Sequence, residues 1–121
     1  MAIYTNIKAA LLDLALYRGD KTAFEVDFYE DEEKLIPFDL TVFAGSLKMQ
    51  IKTNKNNARY VSELLEGTGL TVTTNTLLIE SAGFNIDVPS DIFFYDVEGL
   101  NAGARETILT GNVLLTEDVT R

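Results

Sequence analysis

The chain has 121 residues, and its 19 Asp and Glu against 10 Lys and Arg give a formal charge of −9. It contains no His, Cys or Trp. That composition excludes disulfides, thiolate nucleophiles, His- or Cys-ligated metal centres and any catalytic triad with an imidazole base. The acidic balance disfavours duplex nucleic acid as a partner, because binding there needs a concentrated cationic face. The lack of Cys fits a protein made in a reducing cytoplasm.

The length suits one domain, which would bury about two-thirds of the surface of the extended chain. Apolar residues make up 46% of the chain, and strand formers such as the 7 Phe and 5 Tyr are frequent, which favours an all-β fold. The N-terminus lacks the basic segment of a secretory signal, and no apolar run approaches the about 18 residues of a membrane helix. We therefore expect neither a signal peptide nor membrane insertion.

Alternating apolar and polar residues predict four strands, each with one buried face. The expected inward side chains are, in chain order, Phe24, Val26 and Phe28; Leu47, Met49 and Ile51; Phe93, Tyr95 and Val97; and Leu109, Val113 and Leu115. Shorter candidate strands cover 60–64, 70–73 and 77–81, with turns at 67–69, 74–75, 89–91 and 99–103. Seven or eight short strands at this spacing predict a β-sandwich.

Residues 7–17 fit two structures. Apolar residues three or four apart fit a helix, whereas Leu12, Leu14 and Leu16 fit a strand. A turn at 18–20 favours the strand, beginning at about Leu12. We therefore expect a short N-terminal arm at 1–10 and a single β-sandwich domain at 11–121.

Two residues within the predicted strands carry specific expectations. Gly111 falls at an inward position, which indicates a bulge or a close packing approach. The run from Phe93 to Tyr95 indicates a central strand that packs on both faces rather than the lining of a ligand pocket. The hydroxyl of a buried Tyr95 would then need a hydrogen-bond partner.

Charge is distributed unevenly along the chain. Six acids and no base lie between Glu25 and Glu33, whereas four bases and no acid lie between Lys48 and Arg59. The two segments are either solvated surfaces, an acidic hairpin tip and a basic loop, or complementary patches that meet between copies of the chain. The candidate assembly surface comprises Lys48, Lys52, Lys55, Arg59, Glu30, Asp31, Glu32 and Glu33.

Other chemistry has weaker support. The acids at 30–33 resemble calcium ligands in type, but consecutive residues rarely converge on one ion and no D-x-D-x-D-G pattern occurs. A hydrolase would need two facing carboxylates, one of them with a strongly raised pKa. No motif in the sequence identifies such a pair, so we expect a protein that is not an enzyme and that uses no cofactor or metal.

Five segments, taken in order, resemble a family of small bacteriophage tail or baseplate proteins. They are residues 19–24 (GDKTAF), 37–41 (PFDLT), 47–52 (LKMQIK), 94–98 (FYDVE) and 110–121 (TGNVLLTEDVTR), the last of which resembles the closing strand and tail of the family. The resemblance covers residues 17–121.

The resemblance implies an immunoglobulin-like β-sandwich without catalytic activity. It implies a structural virion component of the tail, in the baseplate, collar or an adaptor, assembled in the cytoplasm of the bacterial host. Its partners would be other tail proteins and further copies of itself. The alternative is a host-attachment module that binds carbohydrate or calcium through loops rich in Asn and Asp.

Overall fold

The fold is that of a computed structural model, which describes residues 2–4, 10–17, 21–31, 33, 35–43, 45–54, 59–80 and 92–116. Almost all of its regular structure is β. The strands are β1 (Ala2–Tyr4), β2 (Ala10–Leu11), β3 (Leu14–Tyr17), β4 (Ala23–Tyr29), β5 (Lys48–Lys52), β6 (Ser62–Glu66), β7 (Gly69–Thr73), β8 (Thr76–Glu80), β9 (Ile92–Asn101) and β10 (Ala104–Thr116). A single 3₁₀ turn, Leu40–Phe43, is the only helical element among the described residues.

The all-β prediction is confirmed, but the strands are more numerous than predicted and belong to one mixed sheet. Its order is β1-β4-β8-β7-β6-β5-β9-β10-β2, with β3 also paired to β10. The pairs that involve β1, β2 and β3, and the pair of β6 with β7, are parallel, and the others are antiparallel. The additional strands β1 and β2 have three and two residues, too few for a hydrophobic period to be visible in the sequence.

The sheet curls around one hydrophobic core. Strands from both ends of the strand order contribute to a single buried cluster, whose members include Phe28 on β4, Ile79 on β8, Met49 on β5 and Val113 on β10. All four of the predicted inward-facing sets are buried as expected. Because a sheet twists, ten strands can bring their inner faces together without a second sheet.

The first 17 residues supply strands to both ends of the strand order. Residues Ala2–Tyr4 pair in parallel with β4, whereas Ala10–Leu11 and Leu14–Tyr17 pair in parallel with β10. Six Cα–Cα steps from Tyr4 to Ala10 can span no more than about 21 Å. Eight strand spacings of a flat sheet would separate β1 from β2 by about 38 Å, so the sheet must curl. The strand interpretation of 12–17 is confirmed for β3. The predicted turn at 18–20 lies outside the described residues, and the boundary between arm and domain stays a prediction.

The edge formed by β2 and β3 is interrupted opposite Gly111. Leu11 pairs with Thr110 and Leu14 with Val113 in the same register, so only Leu12 and Asp13 leave the ladder. A Cβ on Gly111 would lie 2.1 Å from the carbonyl oxygen of Leu12. The predicted close approach at Gly111 is therefore confirmed, and the group that requires it is a backbone carbonyl.

The same carbonyl satisfies the buried tyrosine. Tyr95 Oη donates a hydrogen bond of 2.6 Å to the carbonyl oxygen of Leu12, which confirms that its hydroxyl has a partner. Burial raises the pKa of Tyr95 above its ordinary value, and the charge of Asp13 adds to that rise. The central position predicted for this strand is also confirmed, because β9 lies between β5 and β10. The prediction that both faces of the strand are packed is wrong for the outer face, where Phe94 is partly exposed and lines a groove.

One predicted turn is shorter than expected. Gly99 belongs to β9, and the turn into β10 falls at Ala102 and Gly103, both with positive φ. A Cβ on Gly99 would lie 2.7 Å from a ring atom of Phe43. This glycine therefore makes room for the 3₁₀ turn against the sheet. The predicted turn at 74–75 is confirmed, and the turn predicted at 67–69 covers 67–68, because Gly69 begins β7. The turn predicted at 89–91 lies outside the described residues.

After β4 the chain forms a hairpin that ends in the acidic segment. Phe38 N–H donates to the carbonyl of Phe28 at 2.9 Å, and Glu30 N–H donates to that of Ile36 at 2.8 Å. Asp31 Oδ1 accepts hydrogen bonds from the backbone N–H groups of Leu35 and Ile36 at 3.0 and 2.9 Å. The tip of the hairpin is thus held by one of its own carboxylates.

Candidate functional site

A groove of about 470 Å³ lies on the outer face of β5, β9 and β10. Strand register arranges its floor in two rows of outward-facing residues. One row runs Gln50, Asp96 and Thr110, and the next runs Lys52, Phe94 and Asn112. Leu11 and Asp13 form the wall, on the β2–β3 edge that lies beside β10.

Asp96 lies on the floor of the groove between Gln50 and Thr110, and the pKa of its carboxyl is raised. Partial burial raises the pKa of this carboxyl, and the nearby charge of Glu98 adds to the rise. Lys52 and Lys48 act in the opposite direction by favouring the ionised carboxylate. The groove therefore holds an acid whose charge is partly desolvated and partly neutralised by its neighbours.

Hydrogen bonds within the fold orient the polar groups of the groove. Gln50 Nε2 donates to Glu63 Oε2 at 2.8 Å, which turns the amide oxygen of Gln50 away from that contact. Thr110 Oγ1 donates to the carbonyl of Tyr95 at 3.0 Å. Asp13 Oδ1 accepts from the backbone N–H of Asn112 at 3.0 Å, and this contact holds the wall of the groove to its floor.

The lysines of the predicted basic segment face carboxylates on the neighbouring strand. Lys48 Nζ lies 3.4 Å from Glu98 Oε1, and Arg105 Nε lies 3.7 Å from the same oxygen. Lys52 lies close enough to Asp96 to affect its pKa. Of the other predicted bases, Arg59 is exposed before β6, and Lys55 lies outside the described residues.

The predicted acidic residues lie at the hairpin tip. Glu30 and Glu33 are exposed, Asp31 is half-buried, and Glu32 lies outside the described residues. Two large apolar side chains project beside them, with 77% of Leu35 and 53% of Ile36 exposed.

The strand order does not bring the two charged segments together within one chain. Three strands, β8, β7 and β6, separate β4 from β5 in the sheet. The sequence interpretation missed Asp96 and Glu98 as the partners of the lysines, and it missed the groove. The alternation within β5 and β9 shows which residues face outward, but the register that aligns Lys48 with Glu98 comes from the fold.

Two further findings concern the described residues alone. No group of three or more acids converges there in a way that could hold a metal ion. In that part of the chain, no helix is long and apolar enough to cross a membrane.

Comparisons with known proteins add no family. No protein-family model matches the chain, and no curated protein sequence is similar enough to count as a relative.

Proposed function

We propose that the chain is a structural component of a bacteriophage tail, part of the baseplate, collar or an adaptor, that works by self-association and by docking to other tail proteins. Support comes from the ordered resemblance of five segments to that family and from the hairpin tip. The role proposed is not enzymatic. It needs neither a cofactor nor a metal, and it places the protein in the virion after assembly in the host cytoplasm.

The observation that carries the docking role is an exposed apolar pair whose backbone is bonded to Asp31. Leu35 and Ile36 are 77% and 53% exposed, yet their backbone N–H groups are fixed by Asp31. A backbone that is already held in place loses little conformational freedom when a partner covers its side chains. Full burial of each would contribute roughly 1.5–3 kcal/mol.

The charges around the tip define the partner that it fits. Exposed Glu30 lies opposite Ile36 in the hairpin, and exposed Glu33 precedes the apolar pair in the chain, so a complementary surface would combine a small apolar pocket with basic residues. Lys48 is already paired with Glu98 in its own chain. We therefore assign the main part in docking to the tip. The basic segment takes part only through bases that a neighbouring acid does not neutralise.

We also propose that the fold is an immunoglobulin-like β-sandwich. The curled sheet can be divided into a half that contains β4, β8 and β7 and a half that contains β5, β9 and β10, and both halves supply the same core. We propose that these halves correspond to the two layers of such a sandwich. An experimental structure with the two halves stacked face to face supports the assignment, and a closed barrel contradicts it.

The neighbouring genes and the protein content of purified virions test the proposed function directly. Genes for a tape-measure protein and tail fibres next to this one, together with peptides of this chain in purified tails, are the expected result. A gene among metabolic enzymes, with no such peptides in purified virions, contradicts the proposal.

A further inference from the structure

The groove on the outer face of β5, β9 and β10 presents an aromatic ring between polar side chains. Register places Phe94 between Lys52 on one neighbouring strand and Asn112 on the other. Phe94 is partly exposed and lines the groove. An aromatic ring offers an apolar, weakly negative surface to the C–H groups of a ligand.

Donors and acceptors surround that ring. The Asp96 carboxylate accepts, the Lys52 ammonium donates, and the Asn112 side-chain amide does both. Gln50 uses its NH₂ group on Glu63, so its carbonyl oxygen still has acceptor capacity. These groups lie on paired strands rather than on loops, which keeps their spacing fixed before a ligand arrives.

The charge balance selects the ligand class. The groove is lined by two acids, Asp13 and Asp96, and one base, Lys52, which favours the ionised form of Asp96. A phosphate or nucleic acid would need a net positive site, and a lipid would need a larger apolar enclosure. The volume of about 470 Å³ falls within the usual range for small ligands.

We propose that this groove is a binding site for a neutral saccharide, whose C–H face packs on Phe94 and whose hydroxyls bond to Asp96, Asn112 and Gln50. A saccharide suits the site because one of its faces is apolar while its edge both donates and accepts hydrogen bonds. The site is independent of the hairpin tip, so docking and saccharide binding can each fail alone.

The test is an NMR titration of the ¹⁵N-labelled full chain with a panel of neutral sugars: methyl glycosides of hexoses and 6-deoxyhexoses, and N-acetylhexosamines. Glucuronic acid, glucose 6-phosphate and inorganic phosphate serve as charged probes. We expect at least one neutral sugar at millimolar concentration to shift amides of β9 and β10 around Phe94 and Asn112. Asp96→Asn and Asn112→Ala should each weaken binding by ~10-fold, the loss expected for one good hydrogen bond.

Matched variants on the outer face far from the groove separate binding from folding. Phe94→Tyr should keep binding and Phe94→Ala should lose it, while Leu78→Ala and Glu80→Gln on β8 should leave the affinity unchanged. The proposal is overturned if no neutral sugar shifts these amides, if the shifts map to another surface, or if only the charged probes bind.

Discussion

The outer surfaces of the two halves of the sheet differ in how their charges are used. Strands β5, β9 and β10 carry equal numbers of acids and bases, and Lys48 and Arg105 both lie close to Glu98. Strands β4, β7 and β8 carry three acids and no base, and β4 leads into the tip with exposed Leu35 and Ile36. In the first half acids and bases lie close together on the outer face, whereas the strands of the second half carry acids alone and lead to the exposed apolar pair.

This contrast predicts different consequences of mutation. Changes near the β10 edge should alter the stability of the fold, because the contacts there are internal. Changes at the hairpin tip should alter association and leave stability nearly unchanged. The predictions below test that division, beginning with the largest effect.

Gly111→Ala should destabilise the fold most strongly. Its new Cβ would lie 2.1 Å from the Leu12 carbonyl oxygen, so the β2–β3 edge must move and the bond from Tyr95 must weaken. We expect a loss of about 3 kcal/mol in the free energy of unfolding, measured with urea. Gly103→Asn is the control, because a Cβ there meets open space at a φ of +84°, and Asn tolerates a positive φ. Equal effects of the two substitutions would contradict the close approach.

Tyr95→Phe removes the hydroxyl that donates to Leu12 at 2.6 Å. The carbonyl loses a partner in a largely buried position, so the free energy of unfolding should fall by about 1.5 kcal/mol. Tyr60→Phe is the matched control, since that side chain is 47% exposed, and it should have almost no effect. Denaturant unfolding of both variants checks the difference; indistinguishable midpoints would show that the bond adds nothing.

Two carboxyls should change stability with pH in opposite directions. Burial raises the pKa of Asp96 above 3.8, so the native state holds that proton more tightly and loses stability as the pH rises through the raised pKa. The hydroxyl and then the backbone N–H of Thr41 lower the pKa of Asp39. The stability that this carboxyl adds to the fold is therefore fully present above its ordinary pKa of 3.8. It is lost as the pH falls through the lowered pKa.

Thermal melts at acidic and neutral pH test this pair. The change in melting temperature relative to the parent chain should be more favourable at neutral pH than in acid for Asp96→Asn. For Asp39→Asn it should be less favourable at neutral pH than in acid. The same trend in both variants would contradict the environments described for these groups.

Lys48→Ala should have the smallest effect. Its ion pair with Glu98 is partly exposed, with 32% and 14% of the two side chains accessible, and pairs of this kind contribute about 0.5 kcal/mol. Addition of salt should reduce the difference between variant and parent in urea unfolding. A loss several times larger, or one that does not change with salt, would mean that Lys48 stabilises the fold by packing rather than by charge.

Local sequence patterns predicted the inner faces of the main strands, the approach at Gly111 and the need of Tyr95 for a partner. Each of these predictions rests on residues that are close together in the sequence, because alternation shows directly which side chains point inward. The pairing of strands did not follow from such patterns. Phe24 pairs with Ile79, and nothing in either strand alone specifies a partner so distant in the sequence.

The candidate sites depended on that pairing. The groove exists because Lys52, Phe94 and Asn112 come into one row from three strands. The lysines appeared as a basic patch because their partners Asp96 and Glu98 are more than forty residues away. The acidic tip was visible as a run of acids, but the exposure of Leu35 and Ile36 became apparent only in the fold.

Light scattering after size exclusion tests the central claim, that the hairpin tip is the docking surface. The parent chain should form oligomers as its concentration rises or bind other tail proteins. The double variant Leu35→Ser, Ile36→Ser should lose this association with an unchanged unfolding midpoint, while Leu65→Ser, at a similarly exposed leucine, should retain it. A parent chain that stays monomeric at high concentration and binds no tail protein, or a tip variant that associates as the parent does, would contradict the claim.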